Sequence, residues 1–156
     1  MTTEIERKFL VSGDRWRSLA DGKLYRQGYL ARGKATVRVR IVGDRGYLTI
    51  KGKNDGIRRL ECEYEIPIEE AQTMLDSLCD GPIIEKYRYQ IPIEGYLWEV
   101  DEFLGANAGL IVAEVELSDE TDQPPKPDWI SVEVSDDPRY YNANLAQHPW
   151  SQWSRD

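Results

Sequence analysis

Charged residues recur at every second position along this chain, and they are sorted by sign. Glu4, Glu6 and Lys8 alternate with Ile5, Arg7 and Phe9. Arg38 and Arg40 alternate with Val37, Val39 and Ile41, and Lys51 and Lys53 follow Thr49 at the same spacing. Glu61, Glu63 and Glu65 interleave with Leu60, Cys62, Tyr64 and Ile66. Lys86, Arg88 and Gln90 interleave with Tyr87, Tyr89 and Ile91. Glu99 and Asp101 flank Val100, and Glu114 and Glu116 flank Val115. A period of two belongs to a strand, so each set shares one strand face. A face that is charged only to stay in water usually mixes signs; here they segregate. Basic strands suit a polyanion. Carboxylate strands suit a hard cation, Mg²⁺ or Mn²⁺, in a chain with no thiolate or histidine cluster. A polyanion that arrives with a divalent metal is a polyphosphate or a nucleotide. The chemistry is then phosphoryl transfer to water, or displacement at an α-phosphate.

The elements that must position these residues are mostly extended. Alternation predicts strands over 4–11, 23–31, 35–42, 47–53, 59–66, 97–103, 110–117 and 130–134, with another extended stretch after Pro82. In the second of these, Tyr25, Gln27 and Tyr29 share a face. Gly43 to Gly46 reads as a hairpin turn and Pro124 to Pro127 as a stiff connector. Ala71, Met74, Leu75 and Leu78 recur at helical spacing, which predicts a helix over 69–78. Asp14 reads as the cap of a short helix through Trp16 and Leu19, and residues 139–153 as one or two short helices. So few helices cannot cover so large a sheet, and closing it removes its edges. The fold class is mainly β: a sheet closed into a barrel, with a few helices outside and at the C-terminus. One strand face then lines a charged lumen.

With 156 residues the chain suits one domain, 1–156, with a real core. A net charge of −8 argues against nucleic acid as a partner held by bulk electrostatics. There is no apolar run of membrane-spanning length and the first residues are too charged for a signal peptide, so no membrane partner is expected and the cytoplasm is the default. Cys62 and Cys79 are too few for a disulfide framework, and His148, the one histidine, reads as structural. Cys62 lies between Glu61 and Glu63 and is expected to face away from the lumen.

Glu4-x-Glu6-x-Lys8 resembles the ExExK signature of the CYTH superfamily, the triphosphate tunnel metalloenzymes. The resemblance continues in order through Arg38-x-Arg40, Thr49-x-Lys51-x-Lys53, Glu61-x-Glu63-x-Glu65, Glu85-Lys86-x-Arg88, Trp98-Glu99-x-Asp101-x-Phe103 and Glu114-x-Glu116. Arg26 to Leu30 and the tail from Val132 to Leu145 also resemble the short bacterial members. It implies an eight-stranded antiparallel closed barrel forming a tunnel, in which Lys8, Arg38, Arg40, Lys51, Lys53, Lys86 and Arg88 grip phosphate oxygens. It implies that Glu4, Glu6, Glu114 and Glu116 hold the metal, with Asp101 as a further ligand. Tyr29 or Lys51 would orient or deprotonate the attacking water. Gln27, Glu61, Glu63, Glu65 and Glu99 face the lumen without an assigned role. The implied activity is hydrolysis of inorganic triphosphate, with nucleoside triphosphates as poorer substrates. A class IV-type adenylate cyclase, a thiamine triphosphatase and a non-catalytic polyphosphate-binding module remain alternatives, and a homodimer is compatible with each. For the aromatic C-terminal segment two placements stay open: a plug in one tunnel mouth, or a staple on the outer wall.

Overall fold

The computed structural model describes residues 1–153. Its strands are β1 (Thr2–Val11), β2 (Lys23–Ala31), β3 (Thr36–Val42), β4 (Arg45–Lys51), β5 (Arg58–Ile66), β6 (Ile84–Ile93), β7 (Tyr96–Phe103), β8 (Ile111–Glu116) and β9 (Ile130–Glu133). Its α-helices are α1 (Ile68–Ser77) and α2 (Asn142–Gln147). The strands form one antiparallel sheet in the order β5-β4-β3-β2-β6-β7-β8-β1-β9. β5 also pairs with β1, Arg58–Glu61 against Thr2–Ile5, and this closes an eight-stranded barrel. Further along the same edge of β1, Phe9 and Val11 pair with β9, which lies outside the closed set.

Alternation builds the wall because most strands turn one face to the lumen and the other to an outer covering; β5 stays largely exposed. The outer face is apolar and packs under short coverings. Ile5, Phe9, Ile91, Trp98, Val100, Ala113 and Val115 form one outer core, sealed by Trp16, Leu117 and Trp129 from connecting segments. Val39 and Ile41 form another with Ala71 and Leu75 of α1. α1 follows Pro67 and carries Glu69 and Glu70 in its first turn, where carboxylates oppose the helix dipole. The expected Asp14 cap does not form: Arg15–Ser18 is a single 3-10 turn without a side-chain cap bond. Trp16 holds it instead, donating Nε1–H to the Gly13 carbonyl at 3.0 Å.

The lumen face changes character along the barrel. Gln27 pairs with Ile84, Lys86 with Phe103, and Asp101 with Val112, so these apolar residues share the face of the charges. Tyr29, Ile84, Phe103, Leu110 and Val112 make an apolar collar, and Leu145 and Ala146 of α2 are buried against it. Thus α2 closes this end from within. Beyond α2, Trp150 packs on Gly109, where a Cβ would meet its ring at 2.7 Å, and its backbone N–H bonds Asn107 Oδ1 at 2.8 Å. The C-terminal segment thus closes this end of the tunnel with α2, and its last turn packs on the β7–β8 connection.

α1 approaches the wall over Gly46, where an added Cβ would lie 2.5 Å from the Ala71 Cβ. Gly46→Val is therefore expected to lower stability by about 1–3 kcal/mol through overpacking. Urea denaturation checks this, and an unchanged midpoint would mean that α1 does not press on β4.

Candidate active site

The charged middle of the lumen is a cavity of about 370 Å³. Its floor is an ion-pair cluster on β6, β7, β8 and β1. Asp101 Oδ1 accepts from Arg88 Nε at 2.7 Å, while its Oδ2 accepts from Lys86 Nζ at 2.7 Å and Arg88 Nη2 at 2.8 Å. Burial alone would push the Asp101 carboxyl up, but Arg88 and Lys86 outweigh it and hold it below the usual carboxylate range. Burial also drives Lys86 down to about 7 against the pull of Asp101, with Arg88 and Arg40 adding to the fall. Lys8 Nζ bonds Glu114 Oε1 at 2.7 Å; burial would lower this ammonium, yet Glu114 and Glu6 raise it.

The opposite wall, on β3, is cationic and short of counter-ions. Arg40 is reached by no carboxylate among the described residues; its Nε donates to Gln27 Oε1 at 3.0 Å and its guanidinium lies 5.0 Å from the Tyr25 ring. Burial, then Arg38 and Arg88, lowers it to about 10. Arg38 donates to Thr49 Oγ1 at 3.2 Å, stands 3.9 Å from Glu63, and keeps a buried Nε with no partner. Between the walls Lys51 is shared by Glu4 at 3.1 Å and Glu61 at 3.4 Å, and Arg59 reaches Glu4 at 3.4 Å. Burial and then Arg38 lower the Lys51 ammonium, with Glu4 opposing.

The carboxylates crowd. Glu6 lies opposite Glu116, and Glu114 opposite both Lys8 and Glu99. Burial and then Glu114 raise Glu6 to about 7 against Lys8, and burial with Glu4 and Glu99 raises Glu116. Glu4 goes the other way, to about 2, because Lys51 overcomes its burial. Among the described residues no three carboxylates form a ready-made cage, since Lys8 and Lys51 hold Glu114 and Glu4. The donor set nevertheless fits a hard divalent cation: it is all carboxylate oxygen, with more negative charge around Glu6 than its neighbours neutralise.

Most of the expected residues line this cavity: Glu4, Glu6, Lys8, Tyr29, Arg38, Arg40, Lys51, Glu61, Glu63, Lys86, Arg88, Glu99, Glu114 and Glu116. Three of the charged residues expected at the site do not line it. Lys53 is exposed beyond the end of β4, where the chain leaves the wall after Lys51. Glu65 sits exposed at the rim, paired with exposed Arg45 at 3.2 Å. Asp101 is fully buried behind the cavity and accepts on both oxygens from Lys86 and Arg88. Gln27 is fully buried and joins Arg40 to Asn142. Cys62 is a half-buried free thiol that does not line the cavity. Thr49, Arg59 and Asn142 escaped the charge pattern. The first two stand in register with it; Asn142 lies on a helix and had no strand signal.

Asp101→Asn would leave two buried cations short of a counter-ion, a loss of about 3–5 kcal/mol at pH 7. Because the folded pKa is depressed, this stability is present above the unfolded value near 3.8 and disappears as pH falls through the lower folded one. Urea denaturation should show the wild-type advantage at pH 7 shrinking below pH 3.8. A gap that does not change with pH would contradict the assignment.

The family model described as the CYTH domain matches residues 2–141. An inorganic triphosphatase of Acetivibrio thermocellus is 56% identical over 154 residues, 98% of this chain and 99% of that protein. An inorganic triphosphatase of Nitrosomonas europaea is 37% identical, covering 92% of this chain and 97% of that protein. The solved structure of the inorganic triphosphatase NE1496 aligns with a TM-score of 0.66 at 33% identity, over 94% of this chain and 95% of that one. The ExExK strand, the closed antiparallel barrel and its sign-sorted lumen therefore belong together: the chain is a member of the CYTH domain family.

Proposed function

We propose that this chain hydrolyses inorganic triphosphate inside its barrel, with nucleoside triphosphates as poorer substrates. The observation that carries this reading is the pair Arg38 and Arg40, one with its nearest carboxylate at 3.9 Å and the other with none among the described residues, facing crowded carboxylates across one small cavity. Such a site is complete only with a polyanion on one side and a cation on the other. The naming of two full-length relatives as inorganic triphosphatases supports it.

Glu6 and Glu116, with Glu4 and Glu114, would hold Mg²⁺ or Mn²⁺. When bound, the ion supplies Lewis-acid neutralisation of charge on the phosphoryl oxygens. Arg38 and Arg40 bind non-bridging oxygens and stabilise the charge that develops on them in the transition state. Asp101 holds Arg88 and Lys86 in fixed orientation, so these donors need no reorganisation when substrate arrives. Lys51, lowered by burial and Arg38, is the group suited to take a proton from the attacking water. Tyr29 stands at the edge of the apolar collar, where it orients that water from the wall. A cyclase would need a surface for adenine, but Arg40 and Arg88 already lie over the Tyr25 ring, at 5.0 and 5.2 Å. The partner on this reading is a small polyphosphate or nucleotide met in the cytoplasm, not nucleic acid or a membrane. No helix among the described residues is long and apolar enough to cross a bilayer.

Phosphate release should be fastest from triphosphate in a panel with ATP and thiamine triphosphate, should stop with EDTA and should return with Mg²⁺ or Mn²⁺. Cyclic AMP as the main product from ATP, or full activity after exhaustive chelation, would overturn the reading. Arg40→Ala should cost ~10²-fold or more in kcat/KM while leaving the fold intact, as for loss of a charge-stabilising donor. Wild-type kcat/KM in that variant would remove Arg40 from the site.

A further inference from the structure

Asn142 is the first residue of α2, the helix that closes the barrel. Its Oδ1 accepts from Lys86 Nζ at 2.9 Å and from Gln27 Nε2 at 3.2 Å. A guanidinium only donates, so Gln27 turns its oxygen to Arg40 and its nitrogen to Asn142, and the Asn142 atom that accepts is the oxygen. The amide nitrogen then keeps two N–H groups in a residue that lines the cavity. Lys86 is 1% exposed and has Asp101 as its other partner, and Gln27 turns its own oxygen to Arg40. One side-chain amide thus touches Lys86 directly and Arg40 through a single intermediary. Beside it the collar of Tyr29, Ile84, Phe103 and Val112 lies under Leu145 and Ala146 of α2, and apart from the Tyr29 hydroxyl it is apolar. The charged channel therefore has a closed end, and Asn142 stands at that end.

We infer that Asn142 is a specificity-determining residue that seats the free terminal phosphoryl group of the substrate against the closed end of the tunnel. Its amide N–H groups donate to terminal oxygens while its Oδ1 holds Lys86 and Gln27 in place. A chain can then enter only end-first, through the open mouth. The substrate class is therefore narrower than polyphosphate: it must carry a phosphoryl group with a single attachment. Linear triphosphate qualifies at either end and a nucleoside triphosphate at one. A cyclic trimetaphosphate, or a triphosphate esterified by nucleosides at both ends, has no such group. This inference rests on the proposed triphosphatase reading.

Substrate loss and product formation by the wild-type protein are followed by ³¹P NMR on linear triphosphate, trimetaphosphate and diadenosine triphosphate, with divalent metal present, because opening the ring gives linear triphosphate and cleaving the capped compound gives AMP and ADP, neither with free phosphate. Hydrolysis of the linear substrate alone is expected. Comparable rates on the cyclic or doubly capped compounds would overturn the inference. Asn142→Ala should raise KM for linear triphosphate by roughly 10- to 100-fold, the loss of a hydrogen bond to a charged group. Asn142→Asp keeps the shape and the acceptor for Lys86 and Gln27 but turns a carboxylate on the phosphate. It should raise KM at least as far while thermal stability stays at or above wild type. A purely structural asparagine would tolerate aspartate, so a wild-type KM in a folded Asn142→Asp would refute the role even if Asn142→Ala failed to fold. If the wild type releases no phosphate from linear triphosphate, the triphosphatase reading falls and the inference with it. If it does and Asn142→Asp is unaffected, the inference alone falls.

Discussion

Asp101, gripped on both oxygens by Lys86 and Arg88, makes a charged lumen compatible with a folded barrel. Isolated charges in such a space would cost several kcal/mol each. Here Asp101, at 0% exposure, bonds both buried cations, Glu99 and Glu114 also reach Arg88, and Glu114 bonds Lys8. The balance is uneven by construction. The β6–β7–β8 wall settles its charges internally, whereas Arg38 and Arg40 on β3 are left with a threonine and a glutamine as their closest partners. Unsatisfied charge on one side and crowded carboxylates around Glu6 on the other are what a metal-bound polyphosphate would relieve. The cost of building the site is thereby tied to the binding of its ligand.

The rest of the structure keeps those groups still. Closure through β1 and β5 leaves the barrel wall without a free edge. The outer cores under Trp16, Trp129 and α1 keep the strands in register, so the lumen side chains have fixed origins. At one end the lumen face becomes apolar and α2 fills it, which excludes water behind the site and gives the tunnel a direction.

Much of this was legible because period-two alternation is so strict. The sign-sorted positions on β1, β3, β6 and β8 led to a barrel, a charged lumen and a phosphate-and-metal chemistry, and those residues do meet in one cavity. The pattern failed where strands end. Lys53 and Glu65 keep the period, but β4 ends at Lys51 and Glu65 is exposed near the end of β5, and alternation says nothing about where a strand stops or how deep a position lies. It failed again where identity hides role: Asp101 reads as one more acid, yet its burial between two cations makes it a counter-ion. The collar residues Ile84, Phe103 and Val112 hold lumen positions, but as apolar residues they carried no charge signal. Their meaning, a seat for α2, appears only once the C-terminal segment is seen folded back.

The central claim is that the lumen between Arg38, Arg40 and the carboxylates of β1 and β8 is the triphosphate site. A crystal structure with imidotriphosphate, whose bridging nitrogens resist hydrolysis, and a divalent cation tests it most directly. The account predicts the phosphoryl groups inside the barrel against Arg38 and Arg40, one terminal group at Asn142, and the cation on the glutamate side. An analogue bound outside the barrel, with the lumen ion pairs undisturbed, would contradict it.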